Sequence, residues 1–216
     1  MTYRITFAVA DRARFLSHLE TVDTLLFALR RAGFEIALSR GMKPRPVISL
    51  ALPRAVGVEA RADIADVQLV HDHDPADVAV RLADSLPDGV TVVSVEPVPP
   101  GRPAAARVRC VRYAAEVAED VDWAAALRGH ESAAEAVVVR TAPGKPDRRV
   151  DVKRFLRSID HVPGRLLFEL ELTGAGTARP EEVVHAIAAG IGATATIERL
   201  VRTEIVLADE PVGVNT

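Results

Sequence analysis

The sequence predicts an α+β protein built as two ferredoxin-like βαββαβ units in tandem. Apolar residues alternate with period two in some segments and recur three and four positions apart in others, the marks of half-buried strands and amphipathic helices. These segments follow the order strand, helix, strand, strand, helix, strand, and the order is met twice in 216 residues. Between the two runs lies PVPPGRPAAA, residues 97–106, whose four prolines and one glycine forbid regular structure. The units are therefore expected at residues 1–100 and 101–216.

In the first unit YRITFAVA is a strand with Tyr3, Ile5, Phe7 and Val9 on one face and Arg4 and Thr6 on the other. From His18 to Ala32 the spacing of Leu19, Val22, Leu26 and Leu29 predicts a helix; Gly33 follows as its C-terminal stop, and Arg30 and Arg31 suit the negative end of its dipole. FEIALS alternates again, RGMKPRP makes a basic loop, and VISLALP and DIADVQLV read as further strands. DPADVAVRLADSL is a helix with Asp74 as cap, Pro75 at its first position and Pro87-Asp88-Gly89 as its stop; the strand VTVVSVEPV follows.

In the second unit RVRCVRYAAEV reads as a strand and VDWAAALRG as a short helix. EAVVVRT and RLLFELELT are strands, RPEEVVHAIAAGIG is a helix, and TATIERLVRTEIVL closes the chain as a strand. The central loops of the two units echo each other, GMKPRPV at 41–47 against GKPDRRV at 144–150.

Composition narrows the function. Aromatic residues make up only 4% of the chain, so the core is aliphatic and recognition of single bases by stacked aromatics is poorly supported. No apolar run approaches the ~20 residues of a membrane helix, and MTYRITFAVADR lacks the basic start and apolar stretch of a signal peptide, so a cytoplasmic protein without membrane contact is expected. Cys110 is the single cysteine, which excludes an internal disulfide and any multi-cysteine zinc or iron–sulfur site in this chain; it reads as a small core residue. Charge is unevenly distributed: residues 1–60 carry nine Arg/Lys against five Asp/Glu, residues 61–100 two against eight.

The basic excess points to the sites. Arg30, Arg31, Arg40, Lys43 and Arg45 crowd around one turn against a single acid, Glu35, and two prolines stiffen the loop presenting Lys43 and Arg45. A stiff cationic loop loses little entropy on gripping phosphates. Arg54 lies nearby, and Arg148, Arg149, Lys153, Arg154 and Arg157 form a second group, so an anionic partner, RNA, is expected. In RFLSHLET, Ser17 and Glu20 form a capping box. His18, at the first helical position, is left either as an exposed first-turn residue or as a functional group. HDHD at 71–74 is read as an acidic loop ahead of a helix rather than a metal site. The chain has no Gly-rich phosphate loop, nucleophile elbow or H-E-x-x-H helix, so a conventional NTPase, hydrolase or zincin is not expected, nor is a cofactor.

The run FLSHLETVDTLLFALRRAGFEIALSRGMKPRPVISLALPRAVGVEA resembles the N-terminal signature of the radical SAM-linked proteins, the bacterial domain of unknown function 2344. Members share a serine-histidine-leucine-acidic start, an arginine pair before a glycine, a serine-glycine-x-x-proline loop and a proline-x-x-x-glycine-valine turn. VDVKRFL (150–156) and ARPEEVVHAI (178–187) are also similar, so the resemblance spans nearly the whole chain. Where the family loop has an aromatic, an amide and an imidazole, this chain has Met42, Lys43 and Arg45, which favours phosphate binding over chemistry by a loop histidine. The resemblance implies association with a radical SAM, B12-binding partner, and implies no reaction. Since a radical SAM cluster needs three closely spaced cysteines, radical chemistry belongs to another polypeptide.

Three readings follow. The first is a non-catalytic accessory that binds RNA through cationic loops for a radical SAM enzyme. The second, by analogy with CRISPR repeat-processing nucleases of tandem ferredoxin-like fold, is a metal-independent RNA endonuclease with His18 as general acid or base. The third is a structural adaptor whose basic loop contacts an acidic protein.

Overall fold

The computed structural model describes residues 1–99, 103–118, 120–174 and 176–208. The chain is α+β and divides into two compact units, Met1–Val108 together with Arg202–Thr216, and Arg109–Val201. Of the proline-rich stretch 97–106, residues 100–102 lie outside the described residues. No described helix is long and apolar enough to cross a membrane.

The first unit runs β1 (Thr2–Val9), α1 (His18–Arg31), β2 (Ile48–Leu50), β3 (Glu59–Gln68), α2 (Pro75–Ala83) and β4 (Val90–Val98). β1 lies between β4 and β3, and β2 pairs with the far end of β3, Ile48 opposite Val67; all of these pairs are antiparallel. The alternation of β1 is realised: Tyr3, Ile5, Phe7 and Val9 are fully buried, in one core with Leu25 and Leu29 of α1 and Val78 and Leu82 of α2. The turn into β4 requires a glycine. Gly89 adopts φ +82°, and a Cβ there would sit 2.7 Å from the carbonyl oxygen of Ala10.

Helix α1 starts at the Ser17 cap, as its sequence predicts, but its buried stripe is offset from the expected one. Leu25, Leu26 and Leu29 are buried with Thr21 and Ala28, whereas Leu19 is 72% exposed. FEIALS is not a strand. It is held by the single bridges Ile36–Leu69 and Leu38–Pro46, because Phe34 is tied back to the helix end by its amide on the Leu29 carbonyl (3.0 Å) and the chain then turns into the basic loop.

In the second unit the order is β5 (Val108–Val117), α3 (Trp123–Ser132), β6 (Val137–Ala142), β7 (Lys145–Asp151), β8 (Leu156–Val162), β9 (Arg165–Glu171), α4 (Pro180–Ala189) and β10 (Ile197–Leu207). β9 lies between β5 and β8, antiparallel to both. The segment 144–150, expected as a loop, is largely strand β7. It pairs with β6 in a separate two-stranded ribbon turning at Pro143-Gly144, where Gly144 takes φ +72°. The expected strand EAVVVRT thus forms half of this ribbon instead of joining the main sheet, and its place beside β9 is taken by β8, a strand the sequence did not lead one to expect. α4 opens with Pro180 in its first turn, and Glu182 accepts the amide of Arg179 (2.8 Å).

The unit boundary falls within β10. Its C-terminal residues Ile205 and Leu207 join Ala51, Ile64 and Ala104 in a second apolar cluster of the first unit. With cores on both sides, β3 is buried along nearly its whole length, and its acids are buried with it.

Candidate nucleic-acid interface

The basic loop of the first unit is a closed hairpin tip. The Ser39 amide donates to the Arg45 carbonyl (2.8 Å), the Arg45 amide donates to the Ser39 hydroxyl (3.0 Å), and the Val47 amide donates to the Ala37 carbonyl (2.8 Å). Pro44 and Pro46 fix two backbone torsions within it. Arg40, Lys43 and Arg45 are exposed on this tip, and their side chains make no hydrogen bond or ion pair among the described residues. Three cations on one short loop repel each other, a cost that an anion relieves.

The other predicted residues of this unit are placed differently. Arg30 is exposed near the end of α1 and is likewise without a side-chain partner among the described residues. Arg31 is engaged, donating to the Ser85 carbonyl (2.6 Å) just beyond α2. His18 lies at the opposite end of α1, about 18 Å of helix away from Arg30. It stands one heptad before Leu25, on the core-facing side, and its Nδ1 is buried without a hydrogen-bond partner among the described residues. His18 is thus half-buried rather than an exposed first-turn residue. The capping box beside it is formed: the Glu20 amide donates to the Ser17 hydroxyl (3.3 Å) and the Ser17 amide donates to the Glu20 carboxylate (2.8 Å). The Ser17 hydrogen bonds also hold the Glu20 carboxyl below its ordinary range.

Arg54 does not belong to the cationic surface. It is 7% exposed, within 3.4 Å of Asp63, and donates to the carbonyls of Arg14 and Val58. Arg202, 1% exposed, donates through Nε to the other Asp63 oxygen (2.7 Å) and through its terminal nitrogens to the carbonyls of Pro53 and Leu52. Arg14 pairs with buried Glu59 at 3.3 Å. Burial lowers the Arg54 pKa, with Asp63 opposing it. These charges hold the unit together internally.

The cations of the second unit are mostly committed. Lys153 donates to the carbonyls of His130 (2.7 Å), Glu131 (3.2 Å) and Ala133 (2.5 Å), capping the C-terminal end of α3 where the dipole is negative. Arg149 pairs with Glu135 at 3.5 Å, Arg154 with Asp151 at 3.5 Å, and Arg157 with Glu169 at 3.3 Å. Arg148 stands opposite Arg140 across the ribbon. Arg148, Arg149 and Arg154 do line one concavity of about 320 Å³ with Asp151 and Thr173.

The HDHD run is used piecemeal. His71 lies 3.5 Å from Glu35, Asp72 lies 3.3 Å from the Met1 amino group, and Asp74 caps α2. The Tyr3 hydroxyl meets both the amide and the carbonyl of His73, whose ring stands edge-on to Phe34. Among the described residues no three His, Cys, Asp or Glu side chains converge as a metal site. Cys110 is 2% exposed, and burial, then Glu169, pushes its thiol up to about 11, so it stays protonated and unreactive near neutrality.

Fold and surface together define an α+β protein with a stiff cationic loop on its first unit. By sequence the chain belongs to the family described as an uncharacterized protein conserved in bacteria (DUF2344), whose model matches residues 2–185. No curated protein matches it. Among solved structures it is similar to a chain of a Cbf5–Nop10–Gar1 complex (13% identity, TM-score 0.45, covering 93% of this chain and 48% of that one). It is also similar to a chain of an H/ACA RNP bound to a substrate RNA containing 2′-deoxyuridine (11% identity, TM-score 0.45, covering 93% and 47%). A third likeness is to an unknown protein from Galdieria sulphuraria (15% identity, TM-score 0.25, covering 91% and 96%). The chain spans about half the length of the first two, and likeness at this level carries no information on what it binds.

Proposed function

We propose that the protein is a non-catalytic accessory that binds RNA through the loop carrying Arg40, Lys43 and Arg45. The observation behind this reading is that these three cations, with Arg30, have no intramolecular counter-ion among the described residues, on a loop whose backbone is already ordered. Ordered cations grip phosphates with less entropy loss than mobile ones. The Arg148, Arg149 and Arg154 concavity is a second, weaker contact, since its arginines already have partners in the protein, acids in the case of Arg149 and Arg154. Lys153 contributes through α3 rather than through phosphate contact. Association with a radical SAM, B12-binding enzyme is part of the proposal and is supported by the sequence resemblance; the buried, protonated Cys110 leaves cluster ligation to that partner. Each unit is read as ferredoxin-like, supported in the first by its βαββαβ order and by the antiparallel pairing of β1 with β4 and β3, with the short β2 also paired to β3.

The test is the salt dependence of RNA affinity. Each neutralised phosphate of a single strand contributes a slope of roughly −0.7 in log affinity against log salt, so Lys43→Ala/Arg45→Ala flattens the slope by about one unit or slightly more. Binding weakens similarly across RNA sequences. An unchanged slope removes the loop from the RNA surface. RNA cleavage by the wild type that disappears in His18→Ala replaces the accessory reading with the endonuclease one.

A further inference from the structure

The foot of the cationic loop opens into a recess of about 290 Å³. Thr2 and Gln68 are cross-strand partners in its floor, and Ser49 stands opposite Asp66, two residues before Gln68 and on the same face of β3. Pro99 and Pro103 supply apolar walls, and Ser39, the residue that closes the loop, lies at its edge. The volume is at the small end of ligand pockets, which run from roughly 300 to 1,000 Å³. It suits a single base and is too small for a duplex.

The chemistry of the floor is specific. Asp66 accepts both Arg4 nitrogens (2.9 and 3.2 Å) and the Ala104 amide (2.7 Å), so its charge is neutralised and it neither repels phosphate nor reads a ligand. The side chains of Thr2, Ser49 and Gln68 have no hydrogen-bond partner among the described residues. A primary amide presents one acceptor and two donors in a plane, the pattern that pairs bidentately with the N6 and N7 edge of adenine. The two hydroxyls serve as donor or acceptor to the remaining edge or to a ribose 2′-OH. Ser39 at the rim also accepts the Arg45 amide, so the recess lies at the foot of the loop that carries the cations.

We infer that this recess is a binding site for one unpaired nucleobase of a single-stranded RNA, with Gln68 as the reading group and adenine as its best partner. The inference rests on the RNA reading above and adds base recognition without aromatic stacking, which the aliphatic composition disfavours.

The test compares short oligo(A) with an abasic strand of the same length and charge, for wild type, Gln68→Ala and Ser49→Leu, each across a salt series. The wild type is expected to prefer oligo(A) by about tenfold, as one bidentate contact provides. Gln68→Ala, at an exposed position, loses most of that preference while binding the abasic strand as before. Ser49→Leu, which fills the recess, does the same by occlusion, so a folding defect in one variant leaves the other decisive. If the wild type does not distinguish the strands, or both variants keep its preference, the pocket assignment is overturned while a persistent salt slope leaves the cationic loop standing. If neither strand binds with a salt dependence, the RNA reading falls and the base pocket with it.

Discussion

GMKPRPV in the first unit and GKPDRRV in the second are alike in sequence, and the fold turns them to different uses. The first is a hairpin tip whose cations face solvent without counter-ions among the described residues. The second is largely strand β7, and the cations in and after it serve the unit: Lys153 holds the end of α3, while Arg149 and Arg154 sit beside acids. A cluster of basic residues in a sequence is therefore not yet a binding surface. What decides is whether the fold supplies each cation with an anion or a carbonyl of its own, and the loop of the first unit leaves three neighbouring cations without one among the described residues.

The sharpest test of that distinction is the buried pair. Asp63 lies between Arg202 and Arg54, all three under a tenth exposed. Removing one partner of a buried ion pair leaves an uncompensated charge, so Asp63→Ala is expected to cost about 3–5 kcal/mol, read as a lower denaturant midpoint. A loss below 1 kcal/mol would show that these arginines are not held by Asp63.

Lys153→Met keeps the aliphatic stem and removes the three bonds to the end of α3. A loss of about 2 kcal/mol is expected, with RNA affinity unchanged. The same variant carries a pH signature. Burial first, and Lys153 second, holds the His130 pKa below its ordinary 6.5. A histidine depressed in the folded state binds fewer protons there than in the unfolded chain, so its stabilising contribution is full above pH 6.5 and is lost as pH falls through the folded pKa. Without Lys153 the depression is smaller, and the acid-side decline in stability is shallower. A variant that retains wild-type stability but loses RNA affinity would place Lys153 on the binding surface instead.

Ser17→Ala removes a formed capping box and is expected to cost about 1 kcal/mol while leaving RNA affinity unchanged. Wild-type melting with lost binding would make Ser17 part of the interface, at the end of α1 remote from Arg30.

The cap of α1, the inward face of β1 and the cap of α2 were legible because each is set by residues within a turn or a strand of one another. The ribbon was not. KPDRRVD has no apolar face, and it becomes a strand because β6 lies beside it. Leu19 fits the helical spacing yet lies in the first turn, outside the buried stripe, whereas His18, one heptad before Leu25, could have been placed on the inner side by the same count. The buried acids of β3 were beyond reach for a different reason: Asp63 is tolerable inside because Arg54 and Arg202 both meet it, and Arg202 follows it by 139 residues. Of the site, the loop cations were visible as charge, but their lack of partners and the recess beneath them depend on which strands meet.

The smallest expected effect closes the comparison from the other side. Arg149 and Glu135 are 71% and 62% exposed at 3.5 Å, and Arg154 is 79% exposed beside Asp151. Exposed pairs of this kind contribute about 0–1 kcal/mol, so Arg149→Ala/Arg154→Ala should shift the unfolding midpoint little. Its effect on RNA is the informative quantity. If the second group is a minor contact, the salt slope flattens by less than half of what the Lys43/Arg45 double variant gives, because acids at hand already neutralise part of each charge. Equal flattening in the two double variants would mean that weak surface pairs open on contact with RNA and that both units grip the strand alike. In that case the presence of a counter-ion in the free protein would be a poor guide to which cations bind, and Arg148 with its neighbours would rank beside the first loop.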